Sequence, residues 1–487
     1  MRQLMIVSRP DDWPLEIPGV ETITAREYLT NPDWSDLRSA RVYNLCRSYR
    51  YQANGYYVSL LAAARGHKPL PSIGTIQDLK SQNVVRLSSG ELSRLISSSL
   101  KPLQSDHFVL SMYFGRNMAR RYEPLSRALF NLFPAPLLRA EFQRLADAWV
   151  LKKLSPMSFA DIPESHLDFV AEAAKGFFSG KRPRRAARRN SRFDLAILLN
   201  PDESDPPSDA RAIERFEKAG EEVGFNVERI GPDEIGRLAE FDALFIRETT
   251  AVNHHTFRFA RRAAAEGLVV IDDPDSILKC TNKVYLAELL QRNKIAAPKT
   301  LLVHRDNAGE IEKQLGLPVV LKQPDSAFSL GVVKVHEPEE LAERVQTLLK
   351  SSDLIVAQEY LPTAFDWRVG LIDGRPLYAC RYHMARGHWQ IIHRDGQGKH
   401  EGDADTMSVG EAPEAVIQTA MKAAALIGNG LYGVDLKEVD GRVLIIEVND
   451  NPSINAGCED AVLKTALYRE IMGVMLKRVT ARKLGVR

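Results

Sequence analysis

The chain has few cysteines and almost no net charge, and each shortage excludes a class of protein. Only four cysteines occur in 487 residues, far apart and with no C-x-x-C pair. This spacing argues against a disulfide framework or a zinc site and is typical of a protein with reduced thiols. The 65 basic and 63 acidic residues nearly cancel. Charge therefore gives no reason to expect a nucleic-acid or membrane partner.

Long apolar runs are also missing. The opening segment MRQLMIVSRPDDW has too short an apolar stretch for a signal peptide, and no run reaches the roughly 18 residues of a membrane span. We therefore expect a cytoplasmic protein. A hydrophobic content of 44% is ample for several packed domains in a chain of this length. A cytosolic enzyme is the expected class.

The first part of the chain is predicted to be an accessory domain followed by a linker. In residues 1–150, MIVS, RVYNLC and HFVLSMYF predict strands, while LLRAEFQR and WVLKKL fit either a hairpin or a helix. Residues 151–190 are predicted to be a helix and a basic linker. The run GKRPRRAARRNSR is typical of a solvated linker, and guidance of an acidic substrate or an RNA is the alternative.

Two further domains are predicted after the linker. In residues 191–277, the strands FDLAILLN, FNVERI, DALFIRET and LVVIDDP occur among helical segments, which is typical of a small parallel α/β domain. Residues 278–487 mix strands and helices, and hairpins are expected at Asp373-Gly374 and Asp440-Gly441. This last part is predicted to be α+β.

The terminal hairpin places a charge where an apolar core is expected. The segment 443–448 predicts a buried strand, yet it contains Glu447, and Asn449 follows on the same side of the pleat. An unpaired carboxylate is costly to bury, so a basic partner or a metal ion must compensate it.

The register of this hairpin decides which side chains meet. A three-residue loop at 439–441 places Asp435, Glu447 and Asn449 on one face and leaves the other face apolar. A two-residue Asp-Gly turn would instead set Asp435 opposite Ile446, on the wrong face. We therefore predict the three-residue loop.

The resulting side-chain set has two interpretations. Asp435, Glu447 and Asn449 offer the oxygen ligands that hold Mg²⁺ beside nucleotide phosphates. Alternatively, Glu447 forms an ordinary ion pair with Lys437 on the same face. The hairpin alone does not decide between them.

Other features of the last 210 residues favour the nucleotide interpretation. Lys283 follows Thr281-Asn282 at a helix start, Lys322 ends PVVLK before the loop QPDSAFSLGV, and IVAQEYL ends in polar residues before FDWRV. Together with the terminal GVD and EVNDNP, this order resembles the ATP-grasp superfamily, and more closely its RimK-type branch. The resemblance covers about residues 191–480, and residues 1–150 resemble the extra N-terminal domain of some RimK-like ligases.

The resemblance implies a fold and an activity. The expected fold class is α/β and α+β: a pre-ATP-grasp α/β domain and two α+β subdomains that clasp ATP, with an additional α/β N-terminal domain. The implied activity is that of an ATP-dependent carboxylate–amine ligase acting through an acyl phosphate. It would add glutamate or a related amino acid to an amino acid, peptide or protein. A small-molecule kinase and a non-catalytic nucleotide-binding regulator are the alternative functions. The resemblance is also compatible with a homo-oligomer.

The resemblance also implies which residues bind the nucleotide. They occur at a helix start, a strand end, a lid loop, a hinge and an acidic position after the hinge. These residues are Lys283, Lys322, Ser326, Ser329, Gly331, Gln358, Glu359, Tyr360, Leu361 and Asp366. The lid is poorer in glycine than the family pattern.

Metal binding and catalysis are implied at five further positions. Asp435, Glu447 and Asn449 would hold two Mg²⁺ ions, with Mn²⁺ as an alternative ion. Arg368 and Arg381 would steady the acyl phosphate, or either is a plain strand-surface residue.

Overall fold

The computed structural model describes residues 2–35, 37, 40–81, 85, 92–145, 148–179, 191–325, 331–395 and 398–484. The chain forms two compact units, Met1–Ala187 with Asp233–Glu240 and Arg188–Pro232 with Phe241–Arg487. Among the residues just given, no helix combines the length and apolar character needed to cross a bilayer. All four cysteines are free thiols, as their spacing predicts.

The first unit combines a parallel sheet with an antiparallel one. Its strands are β1 (Arg2–Val7), β2 (Val20–Thr24), β3 (Ala40–Asn44), β4 (Lys68–Leu70), β5 (His107–Tyr113), β6 (Leu137–Leu145) and β7 (Ala148–Pro156). Its helices are α1 (Ala25–Thr30), α2 (Pro32–Ser35), α3 (Asn54–Ala64), α4 (Ile73–Lys80), α5 (Ser93–Leu100), α6 (Glu123–Leu132) and α7 (Leu167–Ser179). Strands β1 to β4 form a sheet in the order β2-β1-β3-β4, and β5 to β7 form a meander. LLRAEFQR and WVLKKL therefore form a hairpin, which resolves the ambiguity left by their sequences.

The second unit contains three larger sheets. Its first strands are β8 (Phe193–Leu198), β9 (Phe225–Ile230), β10 (Ala243–Ile246), β11 (Val269–Ile271), β12 (Thr300–Val303), β13 (Val319–Lys322), β14 (Val332–Val335) and β15 (Ile355–Glu359). Its remaining strands are β16 (Phe365–Ile372), β17 (Arg375–His383), β18 (Ile392–Asp395), β19 (Gly398–Glu401), β20 (Ala404–Met407), β21 (Leu431–Val439) and β22 (Arg442–Asn449). Its helices are α8 (Ala210–Val223), α9 (His255–Ala265), α10 (Pro274–Thr281), α11 (Lys283–Arg292), α12 (Ile311–Leu315), α13 (Pro338–Leu348), α14 (Glu414–Ile427) and α15 (Thr465–Leu484).

The order of strands confirms the predicted change from α/β to α+β. The first sheet is parallel in the order β11-β10-β8-β9, as the alternating strands and helices predict. Two antiparallel sheets follow, in the orders β12-β15-β13-β14 and β20-β17-β16-β21-β22. A small pair, β18-β19, completes the set. The two antiparallel sheets supply most of the predicted site residues.

The turn of the terminal hairpin differs from the prediction. Val439 pairs with Arg442, so only Asp440 and Gly441 form the turn, with φ angles of 49° and 73°. Two successive positive φ angles are typical of a type I′ turn, which Asp-Gly favours because its twist matches that of the strands. The predicted three-residue loop is therefore wrong.

A β-bulge nevertheless gives the predicted arrangement of side chains. Leu436 pairs with Ile445, but the next pair is Asp435 with Glu447, so Ile446 is an extra residue in its strand. The extra residue shifts the register by one and turns Glu447 to the same face as Asp435. The opposite face stays apolar and packs against α14 through residues such as Val434.

Candidate active site

Residues from both antiparallel sheets line a cavity of about 170 Å³. Nine of the residues proposed from the sequence lie around it: Lys283, Lys322, Gln358, Glu359, Tyr360, Leu361, Asp366, Asp435 and Glu447. A neighbouring cavity of about 420 Å³ shares Lys283, Lys322 and Gln358 with it. The fold therefore brings together residues that are more than 160 positions apart in the sequence.

Glu447 is paired with a lysine, although not with the one considered from the sequence. The Nζ atom of Lys283 lies 3.0 Å from its Oε1 atom. Lys283 opens α11, and the Asn282 side chain before it accepts hydrogen bonds from two backbone N–H groups of that helix. Burial alone would raise the pKa of Glu447, but Lys283 and Lys322 together hold it below its ordinary value. Glu447 is therefore an anion between two cations.

Asp435 is paired with Arg368 on the adjacent strand. The two residues are directly opposite in the sheet, and Nε and Nη2 of the guanidinium donate to the two carboxylate oxygens, with Nη2 at 2.7 Å from Oδ2. Both side chains are mostly buried, with 13% and 14% exposure. Asn449 donates from Nδ2 to the same Oδ2 atom at 3.1 Å. The three predicted metal ligands thus lie together, with Arg368 beside them.

The close approach of Arg368 depends on Gly433. A Cβ atom at this position would lie 2.7 Å from Cβ of Pro452 and 3.0 Å from Cδ of Arg368. Both distances are shorter than ordinary contacts between carbon atoms. The glycine of the GVD segment therefore makes room for the arginine and for the loop after β22.

Lys322 lies at the end of β13 and is held by the hinge strand. Its Nζ atom donates a hydrogen bond to Oε1 of Gln358 at 2.7 Å. Burial lowers the pKa of Lys322 to about 8, while the nearby charge of Glu447 opposes this shift and that of Lys283 adds to it. The lysine remains cationic at neutral pH and has an amide rather than a carboxylate as its hydrogen-bond partner.

Asp366 pairs with Lys437, the lysine considered from the sequence as a partner of Glu447. The Lys437 Nζ atom lies 2.5 Å from Oδ1 of Asp366, and the Thr363 hydroxyl donates to the same oxygen at 2.9 Å. Lys437 is thus engaged by Asp366 and Thr363, whereas Glu447 is engaged by Lys283. The alternative pairing of Glu447 with Lys437 is therefore wrong.

The end of β15 forms an aromatic wall of the cavity. Glu359 accepts a hydrogen bond from the Lys299 backbone N–H at 2.7 Å, so its carboxylate fixes the strand end. Tyr360 makes an edge-to-face contact with Trp389, and Nζ of Lys334 lies 4.5 Å from the Tyr360 ring centroid. Trp389 and Lys334 were not identified from the sequence, because neither lies in a motif of the resemblance.

Arg381 does not join this cluster. It lies opposite Trp367 in the sheet, whereas Arg368 is the next residue along that strand. Successive strand side chains point to opposite faces, so Arg381 projects away from Asp435. Its guanidinium lies 3.5 Å from the Asp405 carboxylate instead. The expected contact of Arg381 with an acyl phosphate does not fit this geometry.

The predicted lid is only partly described. Ser326 and Ser329 lie outside the described residues. Gly331, at the end of this loop, has a φ angle of 68°, and its carbonyl accepts a hydrogen bond from the Gln323 N–H at 2.9 Å. The lid roles of these three residues remain predictions.

The donor set fits a divalent cation held by oxygen. Asp435 and Glu447 are paired across two strands, and Asn449 contacts Asp435. Rotation of the Asn449 side-chain amide by half a turn would place its oxygen, instead of its nitrogen, on the side of Asp435. Carboxylate and amide oxygens are the ligands that Mg²⁺ takes in phosphate-binding sites. Arg368 and Lys283 balance the two carboxylates.

Two protein-family models match the chain. The RimK-like ATPgrasp N-terminal domain matches residues 25–173, and the RimK-like ATP-grasp domain matches residues 280–472. The chain belongs to the RimK-like ATP-grasp family. The predictions of the RimK-like family and of an ATP-grasp fold with an extra N-terminal domain are thereby confirmed.

Several curated relatives of this RimK-like chain are named probable alpha-L-glutamate ligase. The relative from Marinomonas sp. is 24% identical over 247 residues, which are 50% of this chain and 77% of the relative. The relative from Shewanella halifaxensis is 26% identical over 308 residues, which are 60% of this chain and 64% of the relative.

Solved structures also align with the RimK-like chain. D-alanine--D-alanine ligase from Bacillus anthracis aligns with 16% identity and a TM-score of 0.47, over 60% of this chain and all of that chain. The RimK domain protein ATP-grasp from Sphaerobacter thermophilus aligns with 14% identity and a TM-score of 0.45, over 57% of this chain and 98% of that chain.

Proposed function

We propose that this protein is an ATP-dependent ligase that joins a carboxyl group to an amine through an acyl phosphate. The observation that carries the proposal is the pairing of Asp435 with Glu447 in a cavity that also contains Lys283 and Lys322. Two acidic side chains beside two lysines suit a metal–triphosphate complex. The predicted enzyme class, an ATP-grasp ligase that forms C–N bonds, is confirmed by the family and its relatives.

Each group of cavity residues suits one part of the nucleotide. Lys283 and Lys322 are cationic side chains for the phosphates. Residues 358–361 line the cavity, and we propose that their backbone and the ring of Tyr360 receive the purine. Asp366 suits the ribose hydroxyls as an acceptor. These roles are parts of the proposal.

Asp435, Glu447 and Asn449 would hold the magnesium that accompanies ATP, which supplies positive charge beside the transferred phosphoryl group. We propose two ions, with Mn²⁺ as an alternative to Mg²⁺. Lys283 pairs with Glu447 at 3.0 Å, so it is already placed at the metal side of the cavity. Arg368 lies between Asp435 and the ring of Tyr382, with its guanidinium carbon 5.2 Å from the ring centroid. We propose that Arg368 steadies the acyl phosphate.

The reaction has two balanced steps. A substrate carboxylate attacks the γ-phosphorus of ATP, the bond from that phosphorus to the β,γ-bridging oxygen breaks, and ADP leaves. The amine nitrogen then attacks the acyl carbon, loses a proton and expels inorganic phosphate, which leaves an amide. The protein contributes position and compensating charge. Water must be excluded because it would hydrolyse the acyl phosphate.

The substrate proposal rests on the relatives. Their name, probable alpha-L-glutamate ligase, supports glutamate or a related amino acid as the amine that is added. An amino acid, a peptide or a protein is proposed as the carboxylate acceptor. We further propose residues 191–277 as the pre-ATP-grasp domain, 278–487 as the catalytic domain and 1–150 as an accessory domain.

Product analysis tests the proposed reaction. Purified protein is incubated with Mg²⁺, ATP and pooled amino acids, and products are identified by mass spectrometry. We expect ADP and phosphate in equal amounts together with a new amide. A phosphorylated small molecule without free phosphate would instead establish the kinase alternative. Absence of both products with every acceptor tried would favour the regulator.

Glu447→Gln tests the metal assignment. The substitution keeps the shape of the side chain but removes a charged oxygen ligand. Loss of a residue that only supports a metal ligand lowers activity by up to about 100-fold. We therefore expect the loss of a ligand itself to lower turnover by at least about 100-fold. Glu470→Gln is the matched control, because Glu470 is a half-exposed residue paired with Arg375 on the surface. A normal rate in Glu447→Gln would refute the magnesium role of this residue.

A further inference from the structure

A second cluster of metal-ligating side chains lies beyond the carboxyl end of β10. Glu248, His254 and His255 each present one ligand atom, and these atoms all lie within 4.8 Å of one another. Nε2 of His255 lies 2.7 Å from Oε1 of Glu248, and Nε2 of His254 lies 3.9 Å from the same oxygen. None of these residues belongs to the nucleotide cavity described above.

Glu248 is buried without a full set of partners. Its side chain is only 1% exposed. Its Oε1 atom receives a long hydrogen bond from Asn200 at 3.4 Å, but its Oε2 atom has no hydrogen-bond partner among the described residues. An incompletely satisfied buried carboxylate is costly. A cation placed between the carboxylate and the two imidazoles would remove this cost.

A second carboxylate lies near Glu248. Burial raises the pKa of Glu203, and the negative charge of Glu248 adds to this rise. Its Oε1 atom accepts a hydrogen bond from the Thr249 N–H at 2.9 Å, while its Oε2 atom has no partner within the described part of the chain. Two neighbouring carboxylates of this kind repel each other, although the charge of Arg247 opposes the rise in the pKa of Glu203. A bound cation would lessen the repulsion.

The histidine His254 is oriented so that Nε2 remains available. Its Nδ1 atom is hydrogen-bonded to the Thr256 hydroxyl at 3.0 Å, and that hydroxyl contacts the Thr249 carbonyl at 3.2 Å. A hydrogen bond at one ring nitrogen that fixes the other toward a ligand is the usual arrangement around a bound metal.

The backbone that carries Glu248 is also held in place. The Asn451 side-chain amide donates a hydrogen bond from Nδ2 to the Glu248 backbone carbonyl at 2.6 Å, and its Oδ1 atom accepts one from buried Arg247 at 2.6 Å. Asn451 follows the proposed magnesium ligand Asn449 by two residues. The carboxylate is thus attached to a rigid part of the second unit.

A simple ion pair between His255 and Glu248 explains only part of this arrangement. It brings Nε2 of His255 close to Oε1 of Glu248, but among the described residues neither that nitrogen nor Oε2 of Glu248 has a hydrogen-bond partner, and the oriented His254 ring is left unexplained. We propose that Glu248, His254 and His255 bind a divalent transition-metal ion of the zinc type, separate from the proposed magnesium ligands. Two imidazoles and one carboxylate suit Zn²⁺, Co²⁺ or Ni²⁺ better than Mg²⁺, which prefers oxygen ligands alone. The proposal does not depend on ligase activity.

Cobalt titration tests this site in the full-length protein. Metal-stripped protein is titrated with Co²⁺ in the presence of excess Mg²⁺, and visible absorption is recorded because tetrahedral Co²⁺ with nitrogen ligands absorbs strongly. We expect one Co²⁺ ion to bind per chain and Zn²⁺ to displace it. Glu248→Gln and His254→Gln should each weaken the apparent affinity at least about tenfold.

Two controls separate this site from the rest of the chain. His304→Gln removes a half-exposed histidine elsewhere in the second unit, and Glu447→Gln removes a proposed magnesium ligand. Both should retain the wild-type cobalt affinity. Zn²⁺ should raise the thermal unfolding midpoint of the wild type but not of Glu248→Gln, because only a folded binding site is stabilised by its ligand.

Three outcomes would overturn the proposal. The first is the absence of bound Co²⁺ in the wild type, and the second is complete displacement of Co²⁺ by Mg²⁺. The third is equal Co²⁺ affinity in the wild type, Glu248→Gln and His254→Gln. Unfolding midpoints measured without metal show whether each variant is folded. If Glu248→Gln does not fold, His254→Gln still tests the site, because the His254 side chain is 41% exposed and its substitution disturbs the core less.

Discussion

Lys322 is buried beside two other lysines, and this environment makes its charge dependent on pH. Burial lowers its pKa to about 8, and the charges of Lys283 and Lys437 act in the same direction while Glu447 opposes them. Below this pH the ammonium group is present and would attract the phosphates of ATP, as proposed above. Above it the neutral amine loses that attraction.

We therefore expect the specificity constant for ATP, kcat/KM, to decline as pH rises through about 8, the pKa of Lys322 in the free enzyme. The decline should approach about tenfold in each further pH unit, because one proton is required. Steady-state kinetics from pH 6 to pH 10, at saturating acceptor, would measure it.

Lys322→Arg is the informative variant for this effect. Arginine stays protonated throughout this pH range, so its kcat/KM should lack the decline even if its value is lower. An identical decline in wild type and Lys322→Arg would assign the titration to another group.

At the residue scale, the sequence predicted the members of the site better than their partners. Glu447 and Lys283 were identified because each lies in a short segment typical of the family. Their mutual ion pair was not predicted, because it depends on how α11 packs against β22. Arg381 was misplaced for a related reason: whether a strand residue faces the cavity depends on sheet register, and no local motif fixed that register.

The terminal hairpin is the element that positions the proposed metal ligands. Its turn at Asp440-Gly441 and its bulge at Ile446 act together, since either one alone would turn Glu447 away from Asp435. Alternating polarity in the sequence identified the strands. It did not distinguish a long loop from a short turn with a bulge, because both give the same face to the acidic residues.

Gly441→Ala tests the turn. Gly441 has a φ angle of 73°, a left-handed conformation that costs an L-residue about 1–2 kcal/mol. We expect the free energy of unfolding of the second unit to fall by this amount, measured as a lower urea midpoint.

Gly473→Ala is the matched control for Gly441→Ala. Gly473 lies within α15, and no atom would lie within 4 Å of an added Cβ. Alanine in a helix is favoured over glycine by roughly 0.5–1 kcal/mol, so this variant should be slightly more stable than the wild type. Equal effects of the two substitutions would contradict the role assigned to the turn.

At the scale of the whole molecule, the chain does not divide into units in a single linear order. Residues 233–240 belong to the first unit although the surrounding residues belong to the second. Within the first unit, Asn131 accepts a hydrogen bond from the Gly236 N–H at 3.2 Å, and Arg41 pairs with Glu240 at 2.8 Å. The sequence prediction of consecutive domains did not include this return, because a segment of this length carries no boundary signal of its own.

Glu240→Ala tests whether this late segment stabilises the first unit. Arg41 is only 6% exposed in its pair with Glu240, and Lys68 donates to the Glu240 backbone carbonyl at 2.8 Å. Loss of the Glu240 carboxylate would break the ion pair of a buried arginine, and breaking a buried pair costs about 3–5 kcal/mol. We expect the unfolding midpoint of the first unit to fall, as measured by calorimetry.

Glu234→Ala is the control within the same segment. Glu234 pairs with Arg237 at a partly exposed position, where the two side chains are 39% and 26% exposed, and such pairs contribute about 0–1 kcal/mol. Its substitution should therefore shift the midpoint much less than Glu240→Ala does. If both variants unfolded like the wild type, the ion pair of Arg41 with Glu240 would not contribute to the stability of the first unit.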